Sequence, residues 1–208
     1  VPNGNMDVIG LADRPNTYTG ALMESGEDLI ARARRGDEEA FRLIFERYTR
    51  PVMRFIFCMV SDRSLAEELA QETFVRAYKN LGALRDETKL STWLFGIARN
   101  VAREALRSNR QESRRVEFDQ LLAVCDEQPS PAGELLDKEL KGVVRHALGR
   151  LDEDKRLVFT LKVYQQRSYD EIAQITGFSI PKIRNILYRA RAEMRRRLSS
   201  YLGEENEM

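Results

Sequence analysis

Residues 168–198, SYDEIAQITGFSIPKIRNILYRARAEMRRRL, decide how the rest of the chain is read. Ser168 and Glu171 stand at capping-box spacing, so the hydroxyl accepts from the amide three residues on while the carboxylate reaches back. A short helix is expected through Ile175. Gly177-Phe178-Ser179 then makes a tight turn, with glycine supplying the backbone conformation and Ser179 capping a second helix. Pro181 falls in the first turn of that helix, where it removes no needed hydrogen bond. At about 100° per residue, Ile183, Leu187, Ala190 and Met194 share one side of the helix. Lys182, Asn185, Tyr188, Arg189 and Arg196 lie broadly opposite. Between Pro181 and Leu198 stand Lys182, Arg184, Arg189, Arg191, Arg195, Arg196 and Arg197 against a single anion, Glu193. A helix-turn-helix whose second helix buries one side and offers cations near its N-terminus suits a DNA major groove. Lys182, Arg184, Asn185, Tyr188 and Arg189 are the candidate contacts.

The charge is local, because the whole 208-residue chain has a formal net charge of only +1. By segment the nets are −3 for residues 1–27, +4 for 28–110, −3 for 111–131, +6 for 132–202 and −3 for 203–208. Two basic blocks flanked and separated by acidic segments point to a polyanionic partner for the blocks. Residues 1–27 read as a mobile extension, 111–131 as a linker carrying Pro129 and Pro131, and 203–208 as an acidic tail.

Apolar residues recur at helical spacing throughout both blocks, and no stretch alternates with period two, so the fold class is all-α. Gly36 ends a first helix and Asp37 caps the next. There Phe41, Ile44, Phe45, Tyr48, Val52, Phe55, Ile56 and Met59 form one stripe, with a kink or break expected at Pro51. Ser64 and Glu67 have capping-box spacing for a third helix, and Ser91 is placed to cap a fourth. The longest apolar run, Phe55 to Val60, is far too short to cross a bilayer. Without a basic, apolar leader at the N-terminus, the expected location is cytoplasmic, with no membrane insertion.

Enzymatic chemistry is not expected: no paired catalytic residues, phosphate-binding glycine loop or metal cluster appears, and neither a cofactor nor a small-molecule substrate is implied. Cys58 sits in an apolar run and reads as a small core side chain, and Cys125 as an exposed thiol. His146, the sole histidine, has no second ligand near it and reads as structural or surface.

DRSLAEELAQETFVRAYKNL at 62–81, KLSTWLFGIARNVAREALRSNR at 89–110 and the run from Gly149 to Leu198 together resemble the extracytoplasmic-function (ECF) group of bacterial sigma factors, in the sigma-70 family. The resemblance implies two small helical domains, a region 2-like bundle over 28–110 and a region 4-like helix-turn-helix over 132–202, joined by a flexible linker. It implies promoter-specific transcription initiation with bacterial RNA polymerase core, promoter DNA and an anti-sigma factor as partners. The segment matching the family's polymerase-docking helix offers Glu67, Glu68, Gln71, Glu72 and Phe74. The loop and helix matching its minus-10 element-binding part offer Arg85, Lys89, Arg99, Asn100 and Arg103, with Trp93 as a core anchor. The helix-turn-helix matches the reader of the minus-35 element. A Ser-Arg pair usual in that recognition helix is replaced by Asn185-Ile186, an aromatic usual in the minus-10 loop by Leu84, and a glycine by Asp86. The promoter sequence therefore does not carry over. Alternatives are a helix-turn-helix regulator acting without polymerase, which would need a pairing surface, and a sigma mimic that titrates an anti-sigma factor without touching DNA.

Overall fold

A computed structural model describes residues 26–84, 86–109 and 134–204, all statements below being confined to them. They form helices α1 (Gly26–Arg34), α2 (Glu38–Val60), α3 (Arg63–Asn80), α4 (Leu90–Asn109), α5 (Glu134–Gly149), α6 (Glu153–Phe159), α7 (Tyr169–Thr176) and α8 (Ile180–Glu204). Short 3-10 turns at Leu81–Ala83 and Glu87–Lys89 lead into α4, and a five-residue π-turn, Thr160–Tyr164, extends α6. No strand occurs among the described residues, as the periodicity requires.

The first half is a bundle of α1 to α4. Gly36 turns the chain at φ 88°, and Asp37 caps α2 by accepting from the Ala40 amide at 3.1 Å. Its carboxyl lies below the ordinary range, chiefly because the Arg32 guanidinium donates to it at 2.8 Å. The break considered at Pro51 is absent: α2 runs unbroken through it. One missing amide is outweighed by the burial that follows, since Val52, Phe55 and Ile56 are all fully enclosed. The cap of α3 also differs from the sequence reading. Asp62, not Ser64, accepts from the Leu65 amide at 2.9 Å, because α3 already starts at Arg63 and leaves Ser64 inside its first turn. Phe55 and Phe95 meet edge to face at 5.3 Å and lock α2 against α4.

In the second half, Asp152 caps α6 through the Lys155 amide, and Ser168 and Glu171 form the expected capping box on α7. Gly177 ends α7 at φ 74°. Ile183, Leu187, Ala190 and Met194 are all buried, 4% exposed or less, so the side of α8 read as apolar is its packed side. Lys155 ties α6 to α8 by reaching Glu193 at 3.0 Å. The segments 1–25, 110–133 and 205–208 lie outside the described residues, which takes in nearly all of the expected extension, the linker with Cys125, and most of the acidic tail; Gly26 and Glu27 belong to α1, and Gly203 and Glu204 to α8.

The two halves pack directly on each other, α4 against α7 and α2 against α5, α6 and the π-turn. Phe57, which the sequence stripe leaves out, is buried here with Arg145 of α5 lying 6.0 Å over its ring. Ser91 does not cap α4, which begins one residue earlier at Leu90. Its hydroxyl instead accepts from Arg167 of the other half at 2.6 Å.

Candidate nucleic-acid interface

On α8 the five candidate side chains, Lys182, Arg184, Asn185, Tyr188 and Arg189, are all exposed. Locking the opposite side into the core fixes the angle at which they face solvent. Two of them lean on aromatic rings: Lys182 Nζ stands 3.6 Å from the centre of Phe178, and Arg184 lies 5.4 Å over Tyr169. Such stacking holds a cation's direction without neutralising it. The nearest carboxylate to Lys182 is Asp154 at 3.8 Å, on an exposed pair that contributes little. Arg189 has no ion pair among the described residues, and Tyr188, 76% exposed, is the most open large apolar side chain described. Glu193, the one anion of the segment, is taken up by its neighbours: Arg197, then Lys155, lower its carboxyl below the ordinary range. The exposed side of α8 is thus cationic, offset at Lys182, Arg184 and Arg189 only by the long pair of Lys182 with Asp154 among the described residues.

The second candidate cluster lies on α4 and the turns before it. A cavity of about 580 Å³ opens there, lined by Leu84, Asp86, Lys89, Trp93 and Asn100, with Gln174 and Ile175 of α7 on its far wall. The structure brings Lys89, Arg99 and Asn100 to this cavity. Arg85 lies outside the described residues. Lys89 is exposed and sits 3.2 Å from Asp86, whose carboxyl is lowered first by the Thr88 hydroxyl and then by Lys89. Trp93 is half-buried, packed on the core while also lining the cavity, so it is an anchor with one face open. Arg99 and Arg103 are half-buried and both engaged by the second half. Arg99 donates to the Ile175 carbonyl at 3.2 Å. Arg103 Nε and Glu153 Oε1 approach to 2.7 Å without the N–H alignment of a hydrogen bond, so that contact is ionic. Burial, then the neighbouring Arg103, pushes Arg99 below its ordinary value, though a guanidinium stays protonated regardless.

Of the docking candidates on α3, Glu67, Glu68 and Gln71 are exposed and Glu72 half-buried. Glu67 pairs with Arg63 at 2.9 Å, and Glu72 with Arg76, which also reaches Glu104 on α4 at 2.8 Å. Phe74 does not belong to that surface: it is 3% exposed, its ring edge to face with Phe45 at 4.8 Å. Phe45, Val75 and Tyr78 are exposed beside it instead, and the helical stripe had placed Phe45 in the core. The sign that could have separated them is the α3 period itself, since Phe74 shares a side with Ala66, Ala70 and Ala77, and Val75 does not. Among the described residues no group of His, Cys, Asp and Glu could hold a metal ion, and no helix is long and apolar enough to cross a membrane. Cys58 is half-buried and His146 exposed, both in line with their sequence reading.

Comparisons with known proteins bear on the same two halves. The profile of sigma-70 region 2 matches residues 44–112 and that of sigma-70 region 4 matches residues 141–194. The RNA polymerase sigma-H factor of Pseudomonas aeruginosa is 31% identical over 188 residues, covering 87% of this chain and 97% of that protein. The ECF RNA polymerase sigma-E factor of Haemophilus influenzae is 30% identical over 173 residues, covering 78% and 89%. Among solved structures, the sigma factor RpoE of Bartonella quintana, in complex with the anti-sigma factor NepR, superposes with a TM-score of 0.62 at 25% identity, covering 76% of this chain and 96% of that one. CnrH, in complex with the cytosolic domain of CnrY, has a similar fold, with a TM-score of 0.64 at 23% identity over 84% and 97%.

Proposed function

We propose that this chain, which belongs to the extracytoplasmic-function group of the sigma-70 family, reads a promoter with two separate helices while bound to core RNA polymerase. It is a sigma factor, a transcription initiation factor. The exposed side of α8 enters the major groove of the minus-35 element, with Arg184 and Arg189 on phosphates and Asn185 and Tyr188 toward base edges. Lys89, Arg99, Asn100 and Arg103, with Arg85, track the melted non-template strand of the minus-10 element, and the cavity beside Trp93 accepts an unstacked base. Glu67, Glu68, Gln71 and Glu72 supply the polar side of the polymerase-docking surface, and Phe45, Val75 and Tyr78 its apolar side. The chain acts in the cytoplasm, carries no catalytic activity of its own, and takes an anti-sigma factor as its inhibitor, as the RpoE–NepR complex supports.

One observation carries this reading. The side of α8 opposite Ile183 and Leu187 exposes Lys182, Arg184 and Arg189, of which Arg189 has no ion pair among the described residues and Lys182 only a long one to Asp154, and a polyanion complements that charge. A DNA-free sigma mimic has no use for it. Run-off transcription with purified core polymerase and a promoter panel tests the proposal. Initiation above the level of core alone is expected, with a loss of at least tenfold for Arg184→Ala plus Arg189→Ala at promoters that have an upstream element. Undiminished initiation by that variant overturns the recognition-helix assignment.

A further inference from the structure

We infer that the cavity beside Trp93 is a binding site for an adenine mononucleotide, built jointly by the two halves of the chain. The inference rests on the reading of that cavity as a space for an unstacked base. Its volume of about 580 Å³ is ordinary for a small-ligand site, and clefts between packed units are a common place for one. The near wall carries Trp93, Arg99 and Asn100 of α4, and the far wall Gln174 and Ile175 of α7. The far wall is fixed to the near one. Arg99 donates to the Ile175 carbonyl at 3.2 Å, and Arg167, just before α7, donates to Ser91 at 2.6 Å while its guanidinium centre lies 4.7 Å over the Phe95 ring. Both walls thus stand in place before a ligand arrives, which spares it the cost of assembling them.

Two carboxamides select the ring. Asn100 and Gln174 are both exposed at the cavity, and neither side chain has a hydrogen bond among the described residues. A carboxamide donates and accepts side by side, which matches adenine at N7 with N6 on one edge and at N1 with N6 on the other. The two N6 protons allow one amide from each half to bind together. Guanine offers only acceptors at N7 and O6, and a pyrimidine has a single such edge. Trp93 is packed on the core with one face open to the cavity, a surface on which the ring stacks.

Arg99 supplies the anionic end. Its Nε is buried without a hydrogen bond, and it has one carbonyl partner and no ion pair among the described residues. A guanidinium so placed gains from a phosphate, which offers several acceptor oxygens at once. Asp86, the one carboxylate on the lining, is covered by the Thr88 hydroxyl and by Lys89 at 3.2 Å, which weakens its repulsion of an anion. A nucleotide seated here and an unstacked promoter base would share the one indole face, so each excludes the other.

Trp93 is the only tryptophan of the chain, so the fluorescence of the unlabelled, full-length protein reports on this cavity alone. Adenosine monophosphate is expected to quench it saturably, with half-saturation below about 1 mM. Cytidine monophosphate should bind about tenfold more weakly, having lost one bidentate edge. Gln174→Ala, an exposed change on the far half and outside the proposed DNA-binding sets, should also weaken binding about tenfold. Adenosine should bind less well than its monophosphate, and Arg99→Gln should erase that difference. Quenching that does not saturate by about 10 mM overturns the site. Equal binding of the two monophosphates overturns the adenine assignment, and indifference to Gln174→Ala overturns the joint construction. A monophosphate preference that survives Arg99→Gln overturns the role of Arg99. Wild-type run-off transcription in parallel separates this from the sigma reading: initiation without nucleotide binding overturns the site alone, and nucleotide binding without initiation overturns the sigma reading alone.

Discussion

α4 and α8 carry the two cationic faces of this molecule, and they are kept in opposite states. On α8, Arg189 has no ion pair among the described residues, Arg184 is steadied by an aromatic ring, and Lys182 by a ring and a long, exposed pair with Asp154. On α4, Arg99 and Arg103 are both engaged across the interface between the halves. The difference follows from what stands opposite. α8 packs one side on α5, α6 and α7 and leaves the other exposed, with Asp154 of α6 near its start. α4 faces α7 and the start of α6, which bring a free carbonyl at a helix end and an acidic first turn containing Glu153 and Asp154. Free α4 cations are attracted there by the same partial and full negative charges that a nucleic acid would offer.

The strongest way to break that comparison is to unlock the buried side of α8. Leu187→Ala should cost about 2–5 kcal/mol through the lost apolar contact and the cavity left behind. The second half is expected to melt earlier in a calorimetric scan, with α8's cations losing their fixed direction and minus-35 dependence disappearing. A milder change separates charge from packing. Arg184→Ala with Arg189→Ala should leave melting within about 0.5 kcal/mol. If both contact phosphate, the slope of log affinity against log salt should fall by about 1.8 in holoenzyme binding to duplex promoter, roughly 0.9 per contact. An unchanged slope would mean that neither touches phosphate.

Local caps sharpen the picture at a smaller scale. Asp62→Ala removes the side chain that accepts from Leu65 and should cost about 1 kcal/mol in chemical denaturation, whereas Ser64→Ala should be near neutral. Equal effects of the two would contradict the observed helix start. The smallest expected effect is on pH dependence. Burial works to raise the Glu171 carboxyl, but the Ser168 amide and hydroxyl together with Arg167 outweigh it and hold it below its ordinary 4.5. Because the folded value is depressed, the stabilisation is complete above pH 4.5 and is lost as pH falls through the folded value. Acid titration of amide exchange on α7 should show that loss, and Glu171→Gln should flatten it.

Much of this was legible in sequence because it depends on neighbours a few residues apart. Ser168 with Glu171, Gly177 at positive φ and the Ile183–Leu187–Ala190–Met194 side of α8 are local features, and each stands where spacing put it. The errors came where tertiary packing outranked a local rule. Of the kink or break expected at Pro51 the break is absent, since its neighbours are buried, and Ser91, an apparent cap, is taken up by Arg167 from 76 residues away. The meeting of Arg103 with Glu153 has no local sign at all. Nothing in the spacing of a helix tells which distant carboxylate will cover it, so Arg99 and Arg103 could be named as candidates and their engagement could not.

The π-turn at Thr160–Tyr164, closed by the Gln165 amide on the Thr160 carbonyl at 3.1 Å, holds one residue more than an ordinary α-turn. That surplus sets the angular address of everything after it. Deleting a single residue there would let the chain continue as regular helix, yet would swing Arg167 by about 100° around the axis, away from Phe95 and Ser91. Wide turns of this kind are places where evolution can retime a contact without rebuilding a domain.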